Sequence, residues 1–181
     1  MGFRSVNEID HFSFRDCIIN CFEKTENGLR LELSALIVEP QNSQNTNYTR
    51  SYAGDTVLTL RDGRLEKGIK EGFRYYSADD VLLSETPDTE LDEASLTGLL
   101  PSLAGAFLYD VQLLPGSLSE KTASAGTDAG ANGPAQFTCV LGIEMPDDPD
   151  WPEGVTDSYQ IRVSFTEAVF TWEHYLNRVG S

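Results

Sequence analysis

Basic residues are scarce in this chain of 181 residues, and so are long apolar runs. Lys and Arg total 13 against 29 Asp and Glu, so the formal net charge is −16. Because such a surface repels phosphate backbones and anionic lipid, nucleic acid and membrane surfaces are unfavourable partners. The chain has no apolar run of bilayer-spanning length and no N-terminal segment typical of a signal peptide. We therefore expect a cytoplasmic protein that binds neither nucleic acid nor membrane.

Cysteine and histidine are also scarce, which argues against a disulfide framework, a zinc site and imidazole catalysis. Cys17, Cys21 and Cys139 are odd in number and lack CxxC spacing, so we expect free thiols in a hydrophobic core. A zinc site would need to gather ligands such as His11 and His174 from distant segments. No GxSxG motif is present. We accordingly expect no metal and no cofactor, and nothing in these residues indicates an enzyme.

The composition is that of a globular protein with one core. Apolar residues make up 40% of the chain and aromatic residues 10%, which excludes wholesale disorder. A chain of this length is long enough for one core and short for two. We expect a single domain over residues 1–181.

Two dipeptides predict β-hairpins. Asn27-Gly28 and Asp62-Gly63 supply the positive φ angles of a two-residue type I′ turn. Pairing outward from the first turn sets Phe22 opposite Leu33. The two predicted hairpins are separated by an uncharged loop rich in Asn and Gln, residues 40–49.

The strongest helix signal covers residues 86–105. Thr86 and the polar residues after it are typical of a helix N-terminus, and leucines follow at helical spacing. Pro101 is incompatible with a continuous helix, so we expect the helix to end near Leu100.

The remaining segments predict strands. Residues 106–114 and 136–145 read as strands joined by residues 115–135, whose small side chains predict a loop that is mobile and functionally dispensable. Strict alternation predicts a further strand over residues 159–166, with Tyr159, Ile161, Val163 and Phe165 facing inward and Gln160, Arg162, Ser164 and Thr166 facing outward. Residues 167–179 suit a strand or a helix, and their β-branched and aromatic residues favour a strand to about Trp172. Together these patterns predict a mainly β (β-rich α+β) fold: a two-layer antiparallel sheet or sandwich of about eight strands with one main helix.

The segment EMPDDPDWPEGVTD, residues 144–157, concentrates acidic residues as a calcium loop would. An EF-hand register that starts at Asp147 places Pro149 at a ligand position, and one that starts at Asp148 places Pro152 there. Both registers fail. We expect a stiff, solvated strand connection in which Trp151 packs against the protein.

Asp16 is the most interesting single carboxylate. On a regular strand it shares a face with Phe12, Phe14 and Ile18, so either a bulge turns it outward or it is a buried carboxylate held by backbone donors. A buried carboxylate would allow a hydrolase with a carboxylate-based site around Asp16, with Asp110 as a candidate second acid. A structural role is the competing interpretation.

Aromatic and acidic residues in predicted loops suggest a surface for a partner. We expect a non-catalytic interaction protein that presents this surface to a protein partner of basic character. A β-sandwich that stacks these aromatic rings on sugars is a third interpretation. The candidate partner-binding residues are Tyr48, Tyr52, Tyr75, Tyr76, Asp147, Asp148, Asp150 and Trp151.

Three stretches carry a resemblance. FSFRDCIINCF, NGLRLELSALIVEPQNSQN and VSFTEAVFTWEHY resemble small uncharacterised bacterial cytoplasmic β-rich proteins of unknown function, some of them similar to immunity-type or accessory proteins. The resemblance covers about half the chain in scattered pieces. It implies a cytoplasmic, non-enzymatic protein, and it assigns no functional residue.

The acidic segment gives a first testable prediction. Calcium at millimolar concentration should leave the melting temperature nearly unchanged, because neither register completes a ligand set. A site occupied at a hundred times its dissociation constant would stabilise the fold by about 2.7 kcal/mol. A calcium-dependent rise in melting temperature that Asp148→Asn and Asp150→Asn abolish would contradict the prediction.

Overall fold

A computed structural model describes residues 2–114, 136–146 and 157–178. The predicted mobile loop, residues 115–135, and residues 147–156 of the acidic segment lie outside the described residues. The described residues form sixteen strands and one α-helix, with 3₁₀ turns at Ile9–His11 and Leu100–Leu103. Their bounds are β1 Phe3–Val6, β2 Phe12–Ser13, β3 Ile18–Thr25, β4 Gly28–Ser34, β5 Ile37–Val38, β6 Ser51–Ala53, β7 Thr56–Arg61, β8 Arg64–Lys70, β9 Phe73–Tyr76, β10 Leu82–Thr86, β11 Thr89–Leu91, α1 Glu93–Leu99, β12 Phe107–Leu113, β13 Phe137–Glu144, β14 Ser158–Phe165, β15 Glu167–Trp172 and β16 Tyr175–Arg178.

The fold is mainly β and antiparallel, as predicted. The main sheet has ten strands rather than about eight, in the order β1-β15-β7-β4-β3-β12-β13-β14-β8-β11. A second sheet has the order β16-β6-β5-β2, and β9 pairs with no described strand other than β10. Within the described ranges, no helix has both the length and the apolar character needed to cross a bilayer.

The predicted hairpin at Asp62-Gly63 is wrong. β7 pairs with β4 and β15, whereas β8 pairs with β14 and β11. The pairing of residues 56–61 with 167–172 continues in the same register into that of 64–65 with 163–164. Residues 56–70 and 158–172 are therefore one long antiparallel pair, which we call the kinked ribbon. The positive φ of Asp62, 53°, and a hydrogen bond of 3.1 Å from the Gly63 N–H to the Leu60 carbonyl kink the strand without reversing it.

The kinked ribbon closes the main sheet on itself. Strand 56–70 pairs with β4 on one side and with strand 158–172 on the other, and the circuit returns through β3, β12 and β13. β3 and β12 meet through hydrogen bonds from Ile19 N–H to the Ala106 carbonyl, 2.8 Å, and from Leu108 N–H to the Cys17 carbonyl, 3.0 Å. Closure leaves few unpaired edges and encloses one apolar core. β1 and β11 extend the two free sides of the kinked ribbon.

The core residues follow the predicted alternation in β14. Tyr159, Ile161, Val163 and Phe165 are all buried. Ser164 was expected to face solvent but is also buried. Its hydroxyl donates a hydrogen bond to the Glu66 carboxylate. Residues 167–172 form a strand, as expected. β12 and β13 pair with each other in antiparallel orientation.

The first hairpin forms with a different turn. Residues 26 and 27 make the turn and Gly28 opens β4, so Phe22 lies opposite Leu31 rather than Leu33. The reason is tertiary. Gly28 pairs with Arg61 beside the kink, and the Asp62 N–H donates to the Asn27 carbonyl at 2.7 Å.

The helix begins later than predicted. Thr86 ends β10 and residues 89–91 form β11, because this segment pairs with residues 68–70 and 73–76. α1 begins after Asp92, whose side chain accepts a hydrogen bond of 2.8 Å from the Ser95 N–H. The expected end near Leu100 is confirmed, and Pro101 lies in the following 3₁₀ turn.

Two glycines give a test of the kink. Gly28 has a φ of 136°, and a Cβ there would overlap the Leu60 carbonyl and lie 2.6 Å from the Gly63 nitrogen. Gly28→Ala should therefore lower the free energy of unfolding by about 2 kcal/mol or more, measured by denaturant titration.

Gly98→Ala is the matched control for this change. Gly98 lies in α1 with no atom near its Cβ position, so alanine should stabilise the helix by about 0.5–1 kcal/mol. Equal effects of the two substitutions would contradict the role of Gly28 at the kink.

Candidate functional site

A hairpin extends beyond the main sheet as a continuation of β8 and β11. Lys70 lies opposite Thr89, and the same register continues to Phe73 opposite Thr86. We call residues 73–86 the arm: β9, the turn between the strands, and β10. β9 and β10 pair with each other and form a separate two-stranded sheet.

Gly72 and Asp88 connect the arm to the main sheet. The Gly72 N–H donates to the Asp88 carboxylate at 2.7 Å, and a Cβ on residue 72 would overlap the Thr86 carbonyl. Next to this junction, the Glu71 N–H donates to the Ser158 carbonyl at 2.8 Å and its carboxylate accepts from Gln160 at 2.9 Å. The base of the arm is thus held by backbone and side-chain hydrogen bonds.

The arm exposes an apolar surface. Tyr76 is 55% exposed, Val81 58% and Leu83 67%, although side chains of these types are ordinarily buried. A two-stranded ribbon without a packed face is only marginally stable in water, and large exposed apolar patches mark interaction sites. The exposed apolar residues of the arm, which we call the arm patch, are Tyr75, Tyr76, Val81, Leu82 and Leu83.

Cross-strand pairing orders the arm patch. Tyr76 lies opposite Leu82 and Arg74 opposite Glu85, with a register shift at Leu83. The Arg74 Nε lies 2.9 Å from the Glu85 carboxylate, and this hydrogen bond is the main cause of a raised Arg74 pKa. The one arginine of the arm is therefore already paired, and the arm has no free guanidinium.

Acidic residues surround the arm patch. Residues 71–93 contain eight acidic side chains, Glu71, Asp79, Asp80, Glu85, Asp88, Glu90, Asp92 and Glu93, against the single basic side chain of Arg74. The net charge of this stretch is therefore −7, within a chain of net charge −16. The arm therefore combines exposed apolar side chains with a strongly negative surround.

The structure brings together only some of the residues proposed from sequence. Tyr75 and Tyr76 lie on the arm. Tyr48 lies in a separate loop, 92% exposed and with a φ of 58°, and Tyr52 lies in β6. The remaining candidates, Asp147, Asp148, Asp150 and Trp151, lie outside the described residues. Sequence reasoning missed Val81, Leu82 and Leu83, although an apolar run directly after the acidic pair 79–80 was a visible signal.

Residues that flank the acidic segment lie next to the arm's base. The Met145 N–H donates to the Asp157 carbonyl at 2.9 Å. Ser158, the next residue, accepts the hydrogen bond from Glu71. Met145 and Asp157, near the two ends of the acidic segment, therefore lie close to the junction between the arm and the main sheet.

Asp16 is neither on a strand nor a buried carboxylate. Residues 15–16 form a turn closed by a hydrogen bond from the Cys17 N–H to the Phe14 carbonyl, 3.0 Å, so the regular strand expected there is interrupted. The Asp16 side chain is 38% exposed and accepts from the Tyr52 hydroxyl at 2.7 Å. That hydrogen bond is the main cause of a raised Tyr52 pKa.

The cysteines are free, and two of them are chemically inert at neutral pH. Burial raises the pKa of Cys17 and of Cys139 to about 12, so both thiols stay protonated. Among the residues that the structure describes, no three His, Cys, Asp or Glu side chains are grouped so as to hold a metal ion.

A polar cluster around Glu8 holds the Asn- and Gln-rich loop. The Glu8 carboxylate accepts hydrogen bonds from the Ser5 hydroxyl, from the Ser43 N–H at 3.0 Å and from the Ser43 hydroxyl at 2.7 Å. His11 Nδ1 lies 3.3 Å from Glu8 Oε1. The Ser5 and Ser43 hydroxyls contact the carboxylate rather than the imidazole, so these contacts are not the serine–histidine contact of a catalytic triad. The cluster clamps the loop onto the domain.

The Glu8 cluster predicts an acid-dependent stability. Burial raises the pKa of Glu8, but hydrogen bonds from Ser5, Ser43 and His11 outweigh burial and lower the pKa below its usual value. A lowered folded-state pKa gives stability that is fully present above the unfolded pKa and is lost as pH falls through the folded pKa. Glu8→Gln should lower the free energy of unfolding by about 1–2 kcal/mol at pH 7 and should flatten the loss of stability in acid.

Asp10→Asn is the control for this substitution, since the Asp10 side chain is 77% exposed and close to the same histidine. In denaturant titrations between pH 7 and pH 3, this variant should have the same free energy of unfolding as the unsubstituted protein at each pH. An unchanged acid profile for Glu8→Gln would contradict the prediction.

Comparison of the chain with protein-family models, with curated proteins and with solved structures finds no match in any of the three. The candidate site is therefore defined by the geometry, exposure and charge of the arm.

Proposed function

We propose that this protein is a non-catalytic accessory protein, of a regulatory or immunity type, that binds a basic protein partner through the arm. The observation that carries the proposal is the arm patch, five exposed apolar side chains on a hairpin that extends from the closed sheet. We further propose that it acts in the cytoplasm and binds neither nucleic acid nor membrane, in keeping with its net charge of −16.

Burial of the arm patch would supply the affinity. Each large apolar side chain that a partner buries completely contributes about 1.5–3 kcal/mol. Tyrosine is enriched at the centres of protein interfaces because it offers a large apolar ring and a polar hydroxyl. β9 and β10 are paired in the chain without a partner, and hydrogen bonds of Gly72 and Glu71 hold the base of the arm.

The charge around the arm selects the partner. Residues 71–93 have a net charge of −7, which attracts a basic surface over a distance of about one Debye length. The same charge opposes pairing of the arm with a second copy of itself. A basic protein with exposed apolar side chains would complement both the charge and the apolar surface of the arm.

The hydrolase and carbohydrate interpretations have less support. The Asp16 carboxylate is engaged by the Tyr52 hydroxyl at an exposed turn, which favours a structural role. Tyr48 lies in a loop and Tyr52 in β6, so the four predicted tyrosines are divided between the arm and other elements.

The proposal is tested by substitutions on the arm. A tagged protein should capture a basic partner from cells of its source, and Tyr76→Thr with Leu83→Thr should abolish capture. Threonine keeps the strand propensity of these positions while it removes most of the apolar surface. Leu176→Thr is the matched control, because Leu176 is 56% exposed on β16, outside the arm.

Kinetic measurements on the captured partner test the role of charge. The association rate should fall steeply as salt increases, and Asp79→Lys with Asp80→Lys should slow association more than it speeds dissociation. Capture that survives both arm substitutions would contradict the proposal. Turnover of an ester, phosphoester or glycoside that Asp16→Asn abolishes in a folded protein would favour the hydrolase instead.

A further inference from the structure

We propose that the arm binds its partner by strand addition: an extended basic segment of the partner pairs with the outer edge of β10. This inference rests on the proposed function, since it names how the arm engages a basic partner. Strand addition uses main-chain hydrogen bonds for affinity and alternate side chains for specificity. The features that support it are the unpaired edge of β10, the direction of its backbone groups and the charge beside it.

The outer edge of β10 is open in the described part of the chain. There β10 pairs with β9 on one side alone, and β11, which continues it, is the last strand of the main sheet. The other edge of the arm is different, because the base of β9 lies beside Ser158 at the start of β14. Among the described strands, none pairs with the outer side of β10, so this edge is available to a new strand.

The hydrogen-bond pattern of the turn indicates which backbone groups face outward. The Ser77 N–H donates to the Val81 carbonyl at 2.8 Å, so these two residues form the hydrogen-bonded pair next to the turn. Hydrogen-bonded and non-hydrogen-bonded pairs alternate in an antiparallel ribbon. The next pair, Tyr76 and Leu82, is then non-hydrogen-bonded, and the Leu82 N–H and carbonyl point away from β9.

The length and charge of this edge restrict what can bind to it. The register shift at Leu83 and the missing N–H of Pro87 limit regular pairing to a short segment, as is typical of edges protected against indiscriminate pairing. Natural edges are commonly protected by lysine, whereas this one carries Glu85 and the acidic turn residues Asp79 and Asp80. A lysine- or arginine-rich strand is therefore favoured, and a second copy of the arm is repelled.

A designed peptide provides the first test. The probe is a peptide of about six alternating valine and lysine residues, titrated into the full-length ¹⁵N-labelled protein. Its binding should shift the amide signal of Leu82 most strongly and slow hydrogen exchange at that amide. A peptide with glutamate in place of lysine should not bind, because of charge repulsion. A peptide N-methylated at alternate residues on its pairing edge should bind about tenfold more weakly, since it lacks hydrogen-bond donors.

Two substitutions at one position separate the backbone from the side chain. Leu82→Ala removes apolar surface and keeps the outward N–H, whereas Leu82→Pro also removes the N–H. Strand addition predicts that Leu82→Pro binds the peptide about tenfold more weakly than Leu82→Ala. The amide spectrum of each free variant shows whether β9 and β10 still pair. If proline disrupts the arm, the exchange rate of the Leu82 amide in the unsubstituted protein decides the question.

The outcomes distinguish this inference from the proposed function. If the N-methylated peptide binds as well as the parent and the Leu82 amide gains no protection, strand addition is wrong. In that case, loss of partner capture in Tyr76→Thr with Leu83→Thr would leave the arm patch as the binding surface. If neither the peptide nor the captured partner responds to any change in the arm, both proposals are wrong.

Discussion

The kink of residues 56–70 at Asp62-Gly63 is the constraint on which the rest of the fold depends. One strand serves β4 and β15 before the kink and β14 and β11 after it, so the sheet can close on itself. Close backbone approach maintains the kink. The Leu60 carbonyl and the Gly63 nitrogen lie so near Gly28 that no side chain fits there. The Asp62 N–H donates to the Asn27 carbonyl, and the Thr166 N–H donates to the Arg61 carbonyl at 2.9 Å.

Closure of the sheet also explains why the arm is exposed. β8 and β11 pair where α1 covers them, and the Leu96 side chain packs against Gly68. Beyond Gly72 the pairing of β8 with β11 continues as the pairing of β9 with β10. These two strands extend beyond the closed sheet and α1, which therefore do not bury them. The side chains of the arm patch are consequently exposed, so they form an apolar surface patch rather than part of the hydrophobic core.

Apolar surface and negative charge on one hairpin act in complementary ways. Tyr76, Leu82 and Leu83 expose apolar surface, and burial of that surface by a partner would stabilise the complex. The acidic residues of 71–93 oppose association of two arms. The edge of β10, which pairs with no other strand than β9 in the described part of the chain, adds main-chain groups to the same surface. The ligand that we propose, an extended basic segment, would use all three.

The sequence by itself determined the local and periodic features. It indicated the β class, the buried face of β14, the end of the helix near Leu100 and the strand to Trp172, because side-chain alternation and proline act over a few residues. Of the candidate site, it identified Tyr75 and Tyr76 but not the apolar run opposite them. Only the tertiary structure decided that Asp62-Gly63 is a kink, that Phe22 faces Leu31, that residues 82–86 and 89–91 are strands, and that Asp16 lies in a turn. The kink, the register of Phe22 and the strand at 89–91 depend on which distant strand lies alongside, and local composition does not encode that choice.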